Sequence, residues 1–229
     1  MGFLINKRIL KKIDSKDIRY SPYTKTDLYN IIRMLLDKGE TNLNCIDTSH
    51  IDDMSFLFSN VFICPIGCNP IIDISEWDVS NVVSMQYMFN NCHYMNFDLS
   101  SWNVSKVVNM EGMFQNCYWF NCNINDWDVS NVINMAGMFD ECEKFNYPLN
   151  NWDVSNVENM NRMFYGCKKF NQDIRNWNMH KCQNTSSMFN SCESFTYDLS
   201  SWKINKNTYM AYMFENCNNC KLPDWYYTI

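Results

Sequence analysis

The residues with most capacity for chemistry in this chain are cysteines. The 229 residues include 12 of them, against 3 histidines. Cysteine thiolates at suitable spacing hold zinc, pair as disulfides or act as nucleophiles. Cys64 and Cys68 form a C-x3-C with Cys45 upstream, but the second clean pair that a four-ligand zinc site needs is missing. Their surroundings, Cys64-Pro-Ile-Gly-Cys-Asn-Pro70, read as a turn-rich loop. His50, His93 and His180 stand beside no nucleophile elbow, H-E-x-x-H or nucleotide loop. Asp78, Asp128 and Asp153 share one column in which Asn103 and Asn178 replace them. Asn caps a turn as Asp does, without charge, so these positions read as turn caps rather than acid–base pairs. No catalytic residue, metal ligand or cofactor is assigned, and the chain is expected not to be an enzyme.

Six of the cysteines recur every 25 residues: Cys92, Cys117, Cys142, Cys167, Cys192 and Cys217. Trp77, Trp102, Trp127, Trp152, Trp177 and Trp202 keep the same interval, as do Phe89, Phe114, Phe139, Phe164, Phe189 and Phe214. Met precedes each of these Phe, and three residues earlier a further Met column is interrupted only by Thr185. This register marks an array of six units. Residues 47–58 align with residues 78–89 as an earlier unit, six residues being inserted between them. The last unit degenerates, Cys220 standing where an aromatic is due, as terminal units of arrays often do. Thiols in a core register read as a buried structural ladder, because free Cys behaves as a small apolar residue. Stacked Cβ vectors run parallel, which opposes the ~90° torsion of a disulfide.

Within one unit the apolar positions are Trp102, Val104, Val107, Met110, Met113, Phe114, Cys117, Phe120 and Ile124. Most gaps are three, which fits neither a continuous helix nor a long strand. A coil with short flat sides and corners fits. Met113, Phe114 and Cys117 suit one helical turn, and residues 145–149 alternate with period two, as a short strand does. A 25-residue period also falls in the leucine-rich-repeat window. The expected fold is an α/β repeat: a leucine-rich-repeat-like solenoid with short strands and one-turn helices in each coil, capped by an N-terminal helix. That helix is expected over 25–38. Thr24 and Asp27 form its cap, Leu28, Ile31, Ile32, Leu35 and Leu36 its apolar face, and Gly39 its stop. Residues 1–45 then form an N-terminal segment, 46–76 a degenerate first repeat with the insert, and 77–226 the six repeats.

Composition narrows the function classes. With 46% hydrophobic and 19% charged residues the chain is not disordered. A net charge of −6 argues against a nucleic-acid partner. Mean hydropathy is −0.38, and no apolar run approaches the ~18 residues of a membrane span. The first ten residues are broken by Asn6, Lys7 and Arg8, so no signal peptide is visible and a cytoplasmic location is expected.

The phrase Trp-Asp-Val-Ser-Asn-Val-x-x-Met-x-x-Met-Phe-x-x-Cys, carried by residues 77–92, 127–142 and 152–167, resembles the repeat of BspA-like leucine-rich-repeat surface proteins and of mycoplasma-type surface lipoproteins. The lead-in segments around Tyr20 and Ile46 are similar to theirs as well. The resemblance covers roughly residues 20–220. It implies a non-catalytic role in adhesion or host interaction, at the cell surface or directed to a host.

Two outward strips could bind. If Phe120, Cys122 and Ile124 face inward, Asn121 and Asn123 face out, with Asn96, Asp98, Asp173 and Asp198 as equivalents. Short amides and carboxylates on a rigid face suit hydrogen bonding to a protein or glycan, although solvated faces are polar in any case. A second strip runs through Tyr94, Tyr118 and Trp119, aromatic types enriched where partners bind most strongly. The expected function is a monomeric, macromolecule-binding solenoid for adhesion or host interaction. The alternative is an intracellular scaffold without a dedicated ligand.

Overall fold

The computed structural model describes residues 10–11, 19–59, 72–95 and 97–227. Among them regular elements are few. Strand β1 (Leu10–Lys11) pairs antiparallel with β2 (Arg19–Tyr20), and helix α1 spans Lys25–Asp37. A single 3-10 turn covers Asp224–Tyr227. Between them the chain consists of turns joined by isolated parallel bridges. One bridge column runs through Asp53, Ser84, Asn109, Asn134, Asn159, Asn184 and Tyr209. Each 25-residue unit is therefore laid on the next in register.

The hydrogen bonds alternate. The amides of Gly112, Phe114 and Asn116 donate to the carbonyls of Ala136, Met138 and Asp140 in the next unit, at 2.8, 2.9 and 2.7 Å. The amides between them, of Met113, Gln115 and Cys117, donate to carbonyls three residues back in their own unit. Gly112 and Asn116 have φ of +57° and +60°. The one-turn helix expected at Met113–Cys117 is thus replaced by linked turns. An α-helix would need bonds to the fourth residue back and negative φ throughout. Here every second amide is committed to the neighbouring unit instead.

The strand expected at residues 145–149 is absent too: these residues form no strand or bridge, and the bridges that join the 25-residue units lie at the Asn109 column. At the expected place a side chain substitutes for the backbone partner. The Asn146 amide donates to Asn121 Oδ1 (3.0 Å), that of Asn171 to Asn146 Oδ1 (2.8 Å), and that of Thr196 to Asn171 Oδ1 (3.1 Å). Tyr147 is exposed rather than inward, so the period-two pattern breaks there.

The core is a set of side-chain ladders. Phe58, Phe89, Phe114, Phe139, Phe164, Phe189 and Phe214 stack ring on ring at 5.4–5.8 Å between centroids. Phe120, Phe145, Phe170 and Phe195 form a second stack at 5.6–6.0 Å. Each indole N–H of the Trp column donates to a carbonyl of an earlier unit, as Trp127 does to Leu99 and Trp152 to Ile124, both at 3.0 Å. Burial of so large a ring is tolerated because its one polar group is satisfied.

The ends are covered differently. Helix α1 is capped by Thr24, whose hydroxyl accepts the Asp27 amide, and it buries Leu28, Ile31, Ile32 and Leu35 against the first units. It ends before Gly39, whose φ of +79° suits glycine. At the other end Trp225 donates to Leu199 O at 3.0 Å and continues the Trp column, while Tyr226 packs edge-on to Phe214.

Candidate functional site

The cysteines of the 25-residue column face inward. Cys117, Cys142, Cys167 and Cys192 donate their S–H to the carbonyls of Phe89, Phe114, Phe139 and Phe164 at 2.9–3.1 Å. Cys92 does the same to Phe58 at 3.3 Å. Burial pushes these thiols well above the ordinary cysteine value, which leaves them poor nucleophiles. Cys64 and Cys68 lie outside the described residues. No group of three His, Cys, Asp or Glu among the described residues is arranged to hold a metal ion.

The polar strip uses its acceptors within the fold. Asp98 Oδ1 accepts from the amide and hydroxyl of Ser100, and Asp198 does the same with Ser200. Asn123 accepts from the Asn125 amide, and Asp173 from the Arg175 amide and guanidinium. Asn121 holds the Asn146 amide. Hydrogen bonds from Ser100 hold the Asp98 carboxyl below its usual value, and those from Arg175 do so for Asp173. Asn96 lies outside the described residues. The second oxygens of Asp173 and Asp198 accept as well, from the Arg175 guanidinium and the Lys221 ammonium.

The aromatic strip is built unit upon unit. The Trp119 amide donates to His93 O, that of Lys144 to Tyr118 O, and that of Lys169 to Glu143 O, at 3.1–3.2 Å. Tyr118 stacks on the His93 imidazole at 4.8 Å, and His93 Nδ1 lies 2.8 Å from Asn116 O. That contact requires the proton on Nδ1, so the ring is pinned. Trp119 stays 54% exposed beneath the Lys144 ammonium, which sits 5.2 Å from its ring. Tyr94 is half-buried.

A neighbouring column was not singled out by sequence reasoning. Gly112 and Gly137 occupy left-handed backbone (φ +57° and +59°), and the equivalent positions in other units hold Phe56, Tyr87, Arg162, Ser187 and Tyr212 at φ of +51° to +59°. Bulky residues in this region cost ~1–2 kcal/mol each relative to glycine's freedom there. Phe56 and Tyr212 are nonetheless 51% and 65% exposed, so burial returns little. Phe56 stacks on Tyr87 at 5.2 Å, and Tyr87 lies across Gly112 with its hydroxyl 2.9 Å from Glu111. Burial, and then the Glu111 contact, pushes the Tyr87 phenol up to about 12. Arg162 grips the buried Asp140 through two bonds of 2.9 and 3.1 Å, and its guanidinium lies 3.6 Å above the Tyr165 ring. A glycine recurring in one register while large residues fill it elsewhere was the available signal.

The chain belongs to the family described as "Mycoplasma protein of unknown function, DUF285", which matches residues 26–139 and 120–225. Comparison with curated proteins and with solved structures gives no match. No helix among the described residues is long and apolar enough to cross a membrane.

Proposed function

We propose that this chain is a non-catalytic, leucine-rich-repeat-like solenoid that binds a protein partner along its outward aromatic edge. One observation carries this reading. Phe56, Tyr87 and Tyr212 are held on left-handed backbone where the same fold elsewhere uses glycine, and Phe56 and Tyr212 remain largely exposed. Side chains retained against backbone preference, with little burial in return, point to a use outside the fold. Tyr118 and Trp119 supply further exposed rings. They lose little entropy when covered, and Trp and Tyr contribute strongly to interfaces. The resemblance to BspA-like surface proteins supports adhesion or host interaction as the setting.

The test is a capture experiment from host-cell extract with the wild type and with Tyr118→Ser combined with Trp119→Ser. A partner held by the wild type and weakened by ~2 kcal/mol or more in the variant supports this edge as the site. Equal capture by both shifts the site to the Asn121/Asp98 strip. Protease treatment of intact source cells tests the setting. Cleavage of the native protein from outside supports a surface role, and full protection supports an intracellular scaffold.

A further inference from the structure

The Cys column changes at its last member. From Cys117 to Cys192 each thiol donates to the Phe carbonyl 28 residues earlier. Continued to Cys217, that rule points to Phe189 O. Cys217 Sγ instead donates to Cys192 O at 3.3 Å, so this thiol has left the ladder's partner. Three residues on stands Cys220, the only other cysteine of this last unit. The segment Cys217-Asn-Asn-Cys220 is a tight turn, closed by the Cys220 amide on Cys217 O at 3.2 Å. A turn of this kind brings its end Cα atoms within ~7 Å, inside the span that a disulfide bridges. Cys220 occupies the register of Phe145, Phe170 and Phe195 but does not fill it as a ring would, and it remains partly accessible. Both cysteines are free thiols.

We propose that Cys217 and Cys220 form a reversible dithiol–disulfide site, oxidised by low-molecular-weight disulfides, with Cys220 as the attacking thiol. Cys220 is the more exposed of the two, and Cys217 is 6% exposed. In the first step Cys220 sulfur, its proton released, attacks one sulfur of R–S–S–R. The S–S bond breaks, and R–S⁻ leaves and takes up a proton. In the second step Cys217 loses its proton and attacks Cys220 Sγ, expelling the second R–SH. The protein pair gives up two electrons and two protons, and the small disulfide becomes two thiols. The buried column at Cys92–Cys192 takes no part, because its thiols are inaccessible.

The experiment incubates the folded, reduced protein with glutathione disulfide, quenches with acid, alkylates the remaining thiols after unfolding and digests with trypsin. Cleavage after Lys206 and Lys221 yields a peptide that contains Cys217 and Cys220 and no other cysteine. The expected result is that this peptide loses two hydrogens and resists alkylation, while Cys117, Cys142 and Cys167 are recovered alkylated. At early times any glutathione adduct is expected on Cys220. Cys217→Ser should accumulate that adduct, and Cys220→Ser should react at least ~10-fold more slowly. The proposal is overturned if the wild-type peptide stays a dithiol under conditions that oxidise the same peptide after denaturation. It is equally overturned if the early adduct forms on Cys217. Both readouts come from the wild-type protein, so they hold even where a variant fails to fold.

Discussion

Phe114 and Gly112 are two residues apart on one turn, and their columns obey opposite rules. The first column is Phe in all seven units from Phe58 to Phe214, each ring stacked on the next. The second holds Phe, Tyr, Gly, Gly, Arg, Ser and Tyr on the same left-handed backbone. A shared core demands the same shape from every unit, because each ring must fit its two neighbours. The outward column faces no such demand, so it varies, and some of its members act against the backbone they sit on. Uniformity marks what the fold needs, and diversity marks where another molecule could set the requirement.

The largest effect should come from breaking the uniform side. Phe139→Ala removes a ring in contact with Phe114, Phe145, Trp152 and Phe164. Urea unfolding should show a loss of ~3–5 kcal/mol, and hydrogen exchange should rise in both adjoining units. Trp152→Phe keeps most of the volume but leaves Ile124 O without its indole donor. It should cost ~1–3 kcal/mol by the same measurement.

On the variable side the expected effects shrink or change sign. Tyr212→Gly removes an exposed ring at φ +59°. Unfolding stability should hold within ~1 kcal/mol or rise, because glycine adopts this backbone freely. The reverse change at Gly112 is not symmetrical. An added Cβ would meet the Tyr87 ring at a non-physical distance, so Gly112→Ala should destabilise until that ring is displaced, and Tyr87→Ala should relieve much of the loss.

How much of this could be read beforehand depends on which atoms carry the information. The Phe, Trp and Cys registers are side-chain facts, and a fixed period exposes them. Helix α1 is likewise legible, because Thr24, Asp27 and the Leu28–Leu35 spacing encode its cap and its face. The local conformation inside each unit is not, because it depends on φ. Only Gly112 and Gly137 hint at a left-handed position that Tyr87 and Arg162 disguise. The strand expected at residues 145–149 failed for a related reason. Asn121 and Asn146 side chains accept the amides that a strand would have paired with backbone. The polar strip was legible as outward, but not as a set of turn caps already using their oxygens.

Those caps give the smallest expected effect. The folded-state carboxyls of Asp98 and Asp153 titrate below the ordinary 3.8 because of hydrogen bonds from Ser100 and Ser155. A depressed folded value contributes stability that is fully present above the unfolded value and is lost as pH falls through the folded one. Acid unfolding should therefore steepen below about pH 4. Asp98→Asn should flatten that limb slightly while leaving neutral-pH stability within ~0.5 kcal/mol, since Asn123 fills the same role one unit on.

The division between a uniform interior and a free outer edge is tested most directly at Tyr118 and Trp119, which lie between the buried Cys117 and Phe120. The measurement is the unfolding free energy of the double variant Tyr118→Ser, Trp119→Ser against the parent in urea. The account predicts a difference within ~1 kcal/mol, the cost of losing the His93 stack and the Lys144 contact at exposed sites. A loss of ~3 kcal/mol or more, the cost of deleting buried rings, would contradict it and place both side chains in the core.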